Sequence, residues 1–177
     1  MKGTIALITL LASSAAASAQ LRNPARDSLR DIGGVYVLVD SLNDDLQKSG
    51  LTKDLLKADV ESQLRKADVD VFADERQQAL AKEVGNREPR STTYLYVRIV
   101  SAGDPSDVKR AFSVSVQLHQ TLSTSQRDGP TTFFGPSWSA DQVGLAARPG
   151  LRQRIQDVVK ELVDRFSSDY LAANPRK

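Results

Sequence analysis

Apolar and polar positions follow two different rhythms along this 177-residue chain. Residues Gly34 to Asp40 are apolar on both alternating sets, which suits a strand covered on both faces. From Leu56 the spacing changes to that of a helix, with Leu56, Val60, Leu64 and Ala67 on one stripe. Thr52 is a good N-cap for that helix, and Asp54 sits near the positive end of its dipole. Leu51 before the cap and Leu56 after it can form a hydrophobic staple. Glu61 and Arg65 make a solvent-side i,i+4 pair. Val69 to Ala73 is a short strand candidate, and strand-helix-strand spacing implies a parallel crossover if both strands share a sheet. Ser41 to Gly50 reads as a polar connection.

Asp74 with Gln77 is a possible capping box for a short helix ending near Gly85, followed by a polar loop with Pro89. Thr92 to Val100 then alternates as a strand, with Leu95, Val97 and Ile99 on one face and Tyr94, Tyr96 and Arg98 on the other. Ala111 to Thr124 is the longest alternation. Phe112, Val114, Val116, Leu118 and Leu122 point inward, and Ser113, Ser115, Gln117, His119 and Thr121 outward. A hairpin-type loop at 127–130 leads into a strand over Thr131 to Ser139, interrupted by Gly135-Pro136. Asp141 to Gly150, with two glycines and Pro149, reads as a loop. Leu151 to Ala172 is a long final helix whose stripe runs from Ile155 to Tyr170. One amphipathic face per element predicts an α+β fold. The expected form is a two-layer sandwich in β-α-β-β-β-β-α order, with a mixed sheet of about four to five strands and helices on one face.

The N-terminus has a pattern of another kind. Met1-Lys2-Gly3 is basic, Thr4 to Ala12 is apolar, and Ser13 to Ala19 is made of small residues only. That order predicts a secretory signal peptide over 1–19, cleaved after Ala19. Residues 20–33, polar and containing Pro24, read as a flexible lead-in, and 34–174 as a single αβ domain. No later stretch is long and apolar enough to cross a membrane, so no transmembrane segment is expected after cleavage. The expected location is periplasmic or secreted, in a bacterial envelope. Composition fits an ordinary globular chain, 40% hydrophobic and 26% charged. A formal net charge of +2 argues against a nucleic-acid partner, which calls for a clustered basic face. There is no cysteine, which excludes disulfides, thiol catalysis and thiolate metal sites.

The residues for catalysis are sparse. His119 is the sole histidine and falls on the polar face of a strand, where a solvated residue is expected rather than a general base. Ser106-x-x-Lys109 sits in a turn and lacks its companion motifs. Asp40 to Asp45 is acidic, but Leu42 stands where an EF-hand loop needs an oxygen ligand. Asp74 with Glu75 and Asp68 with Asp70 are carboxylate pairs of a kind common on surfaces. No catalytic, cofactor or metal residue is therefore assigned. The remaining feature is the aromatic group Phe133, Phe134 and Trp138 beside the Gly135-Pro136 break. Alternation places Phe134 and Trp138 on one face and Phe133 on the other, and one set is expected in the core. Phe134 and Trp138 are the candidate partner-binding residues. The competing reading, that the whole cluster is core, is the favoured one because aromatics dominate core burial.

Several short patterns, among them Gly34 to Val39, Gly50-Leu51-Thr52, Leu64 to Ala67, Tyr94 to Val97, Trp138-Ser139 and Asp164-Arg165-Phe166, resemble a family of small exported bacterial proteins of unknown function. The element order also looks like small αβ modules of envelope proteins. Examples are the auxiliary lipoproteins of lipid-transport ABC systems and the N-terminal domain of the Tol system's propeller protein. That resemblance implies binding of another envelope component without chemistry. The chain departs from the lipoproteins by lacking an anchoring cysteine. The expectation is a non-catalytic periplasmic protein that binds an envelope protein or ligand. A small carboxylate-dependent hydrolase is the alternative.

Overall fold

The computed structural model describes residues 24–73, 93–104, 106–126 and 129–175. Thr52 is extended, and its Oγ1 accepts from the Leu55 amide at 3.1 Å. This satisfies one of the orphan donors that open a helix. The helix it starts, α3 (Lys53–Lys66), follows a one-turn helix α1 (Pro24–Asp27), a strand β1 (Tyr36–Val39) and a short helix α2 (Asp44–Lys48). Strands β2 (Tyr94–Ala102), β3 (Lys109–Gln126) and β4 (Gly129–Ala147) come next. A single 3-10 turn leads into α4 (Leu151–Ala173).

The sheet order is β1-β2-β3-β4, parallel between β1 and β2 and antiparallel elsewhere. α3 packs on β1, α4 on β3 and β4, and the two helices on each other. The core lies between these layers. Leu56, Val60 and Leu64 of α3 and Ile155, Val163 and Phe166 of α4 meet Leu95, Val97, Val114, Val116 and Leu118 of the sheet. Each such side chain contributes roughly 1.5–3 kcal/mol by leaving water. The α+β class, the mixed sheet and the one-sided helix layer are as the sequence pattern predicts.

Four local expectations change. First, much of the lead-in is part of the fold: Leu29 and Ile32 are buried with the core. The end of α4 clamps this segment, because Tyr170 Oη donates to the Ile32 carbonyl at 2.8 Å and Asn174 Nδ2 to the Leu29 carbonyl at 2.7 Å. Second, the polar connection 41–50 contains α2, whose Leu46 is buried.

Third, Val69 to Ala73 forms only one parallel bridge, Val35 to Val71, on the outer side of β1. Gly34 makes that approach possible, since a Cβ there would lie 2.8 Å from the Asp70 carbonyl oxygen. The parallel partner of β1 within the sheet is β2.

Fourth, the strand expected to stop at Ser139 runs to Ala147 and removes the loop expected over 141–150. Gly144 serves packing there rather than a turn, with a Cβ at that position coming within 2.6 Å of Phe112 Cζ. The signal segment 1–19, the capping box at Asp74 and the helix expected to Gly85 lie outside the described residues.

Candidate functional site: the open face of the sheet

Among the described residues, no helix packs on the second face of the sheet. Its surface is set by alternation on β2, β3 and β4, and reads as five rows across the three strands. They are Tyr94–His119–Pro136, Tyr96–Gln117–Ser139, Arg98–Ser115–Asp141, Val100–Ser113–Val143 and Ala102–Ala111–Leu145.

One end is aromatic. Phe72 packs on Tyr36 with ring centres 5.1 Å apart, Tyr36 on Tyr94 at 5.7 Å and Tyr94 on Phe134 at 5.8 Å. His119 lies 5.9 Å from Phe134 and 5.4 Å from Tyr96, and its Nε2 pairs with Gln117 Oε1 at 3.0 Å. His119 is therefore half-buried among rings rather than solvated, and that desolvation pushes its pKa below the usual value.

The other end is aliphatic. Val143 and Leu145 are 79% and 70% exposed and stand as a ridge on β4. The outward residues of β3 are small there, Ala111 and Ser113. They floor a shallow groove of about 540 Å³ flanked by Val100 and Ala102. Between the two ends lies the one charged row. Arg98 reaches Asp40 at a loose 3.7 Å, and Asp141 has no ionic partner among the described residues. Ser115 Oγ, between them, is buried and without a hydrogen-bond partner.

The two residues expected to bind together are separated by this geometry. Phe134 is 47% exposed on the open face, whereas Trp138 is 3% exposed and lies under α4, 5.2 Å from Phe166. The cause is a β-bulge. Leu118 faces Trp138 but His119 faces Pro136, leaving Ser137 unpaired. The extra residue breaks the alternation, so Phe134 and Trp138 point to opposite faces. Trp138 is thus a core residue and not part of a binding surface. The Ser137 carbonyl accepts from Ser28 Oγ at 3.0 Å, so the segment after α1 holds the bulge in place.

Arg110 escapes the sequence reading. It is 1% exposed, pairs with Asp45 at 3.4 Å and donates to the Asp104 carbonyl. With Lys48, Ser49, Arg148 and Leu151 it lines a cavity of about 180 Å³. The signal was present: Arg110 continues the inward set of Phe112 and Val114, so a cation was due to be buried.

The other chemical candidates are dispersed. Asp104 Oδ1 accepts from both the amide and the hydroxyl of Ser106, so Ser106 serves a turn. Those bonds hold the Asp104 carboxyl below its usual range. Asp164 is held low in the same way, first by Lys160. Asp44 and Asp45 belong to α2, where they face its positive end. Asp68 closes the C-terminus of α3, and the Asp70 carbonyl accepts from Val35. Asp74 and Glu75 lie outside the described residues. No group of three or more His, Cys, Asp or Glu side chains able to hold a metal occurs among the described residues.

No described helix is long and apolar enough to cross a membrane. No family model matches the chain, and no curated protein matches it either. Among solved structures, a minor lipoprotein from Acinetobacter baumannii is similar over 80% of this chain and 94% of its own, at 11% identity and a TM-score of 0.34. A likeness at that level adds nothing to the fold or to the function read from the residues.

Proposed function

We propose that this chain is an exported, non-catalytic periplasmic protein that binds a protein or envelope component through the open face of its sheet. The observation that supports it is the set of uncovered apolar side chains there: Val100, Phe134, Val143 and Leu145 are all exposed on one face. Val100, Val143 and Leu145 cluster at one end of that face and Phe134 stands at the other, and apolar groups gathered on an exposed surface mark interaction sites. Export rests on the order of charge, apolar run and small residues over 1–19. The hydrolase alternative calls for a carboxyl group of raised pKa facing a second one. The displaced carboxyl groups among the described residues, Asp104 and Asp164, are both lowered.

The test is photo-crosslinking in the native host, with a photoreactive residue at Val143 on the open face and, separately, at Leu171 on the helix side. Both positions are exposed, so neither insertion disturbs the core. Adducts of defined mass from Val143 and none from Leu171 support the reading. Equal adducts from both, or none from Val143, overturn it.

A further inference from the structure

We infer that the occupant of the open face is a second copy of this chain, packed sheet to sheet about a two-fold axis that runs along β3. The inference rests on the reading that this face is a binding surface. It comes from the charged row. Arg98 on β2 and Asp141 on β4 flank Ser115 on β3, with one strand spacing on either side. Their backbones stand about 9–10 Å apart. Within one copy Arg98 turns to Asp40 at a loose 3.7 Å, and Asp141 makes no ion pair among the described residues.

A two-fold axis along β3 exchanges left and right but keeps position along the strands. It lays β2 of one copy over the partner's β4. Arg98 then meets the partner's Asp141, and Asp141 meets the partner's Arg98. The same operation sets Val100 over the partner's Val143 and Ala102 over the partner's Leu145, a small residue against a large one. The aromatic ends, with Tyr94 and Phe134, come together. The alternative axis, across the strands, lays Arg98 on the partner's Arg98 and Asp141 on the partner's Asp141. It also sets the aromatic end over the aliphatic one. Like charges in a closing interface repel, so charge selects the first arrangement.

An isologous interface must be self-complementary, and these rows are. β3 supplies the room, because Ala111, Ser113 and Ser115 along its centre are small and stacked sheets stand about 10 Å apart. Ser115 lies on the axis, opposite the partner's Ser115.

The test is a charge swap read by mass. The chain is expressed from its full sequence, purified as the host processes it, and measured by light scattering across concentration. The wild type is expected to reach twice the chain mass. Arg98→Asp and Asp141→Arg each set like charges against each other, and each should raise the dissociation constant roughly tenfold or more. The double variant Arg98→Asp with Asp141→Arg restores both pairs and should dimerise as the wild type does. Both positions of change are exposed, and circular dichroism checks the fold of each variant. A wild type that stays monomeric to about 100 μM, a concentration that would populate even a weak specific pair, overturns the inference. So do single variants that dimerise unchanged, or a double variant that fails to recover. If the chain is monomeric while Val143 still yields a foreign adduct, the second copy fails and the binding face stands. If neither occurs, both fail.

Discussion

The indole Nε1 of Trp138 donates to Asp169 Oδ2 at 3.0 Å, across the interface between β4 and α4. The other oxygen of the same carboxylate accepts from Arg26 Nε at 3.1 Å and Nη2 at 2.9 Å. One acidic side chain thus ties the N-terminal segment, the bulged edge strand and the last helix together. Trp138→Phe keeps an aromatic ring against Phe166 but removes the N–H, and it is expected to cost about 1–2 kcal/mol. Trp138→Ala also opens a cavity and should cost about 3–5 kcal/mol. Urea unfolding midpoints check both. Substitution of the half-exposed Phe134 by Ser loses its ring contacts with Tyr94 and His119 and should cost about 0.5–1.5 kcal/mol, well below Trp138→Ala.

The buried cation gives an asymmetric expectation. Arg110 is almost wholly enclosed, while its partner Asp45 keeps a side chain 38% exposed. Arg110→Met leaves behind a carboxylate that water can reach, and its apolar stem still fills the site. Asp45→Asn leaves a buried guanidinium without its counter-charge. Asp45→Asn is therefore expected to destabilise more, by about 2–3 kcal/mol against about 1 kcal/mol for Arg110→Met. The reverse order in thermal unfolding would show that Arg110 is held by the Asp104 carbonyl rather than by charge.

The two long helices were legible because local signals agree: in α3, Thr52 caps, Leu56, Val60 and Leu64 form a stripe, and all three are buried. β2 and the first part of β3 were legible because each buries one alternate set, Leu95, Val97 and Ile99 in one and Phe112, Val114, Val116 and Leu118 in the other. The separation of Phe134 from Trp138 was not, because a bulge is a property of the pairing and not of the strand alone. Gly135-Pro136 marked an irregularity, but its consequence depends on Leu118 and His119 across the ladder. The second half of β4 was lost for a related reason. Gly144 reads as a turn residue until Phe112, 32 positions earlier, is seen to lie against it. Leu29 and Ile32 were hidden by their polar neighbours, and their burial depends on contacts from Tyr170 and Asn174 at the far end of the chain.

A stabilising change is expected at the C-terminus of α3. Asp68 adopts φ +58°, with its amide donating to the Arg65 carbonyl and the Val69 amide to the Leu64 carbonyl. This is a Schellman ending, and the buried Val69 makes the accompanying apolar contact. A side chain in the left-handed region costs roughly 1–2 kcal/mol, less for Asp than for most residues. Glycine removes that strain but loses more entropy on folding. Asp68→Gly should therefore stabilise by about 0.5 kcal/mol, read as a rise in melting temperature of roughly 1–2 °C. Asp68→Val should destabilise, because a β-branched side chain tolerates positive φ poorly.

His119 offers a direct readout of the open face, because it is the only histidine and gives one imidazole signal. Desolvation among Tyr96 and Phe134 holds its folded pKa below 6.5. The unfolded chain therefore binds the proton more readily. Stability from this group is complete above the unfolded pKa and is lost as pH falls toward and through the folded one. His119→Gln should flatten that part of the stability–pH profile below pH 6.5. Phe134→Ala opens the ring cluster to water, so it should move the pKa back toward the ordinary value. An NMR titration of the single imidazole in both backgrounds checks the sign. A pKa above 6.5 in the wild type would mean that a negative charge, not desolvation, governs this site. Pairing of the sheet with a second copy would bury His119 further, so the pKa should then fall as protein concentration rises. A titration midpoint independent of concentration over the range in which mass doubles would place His119 outside the paired surface.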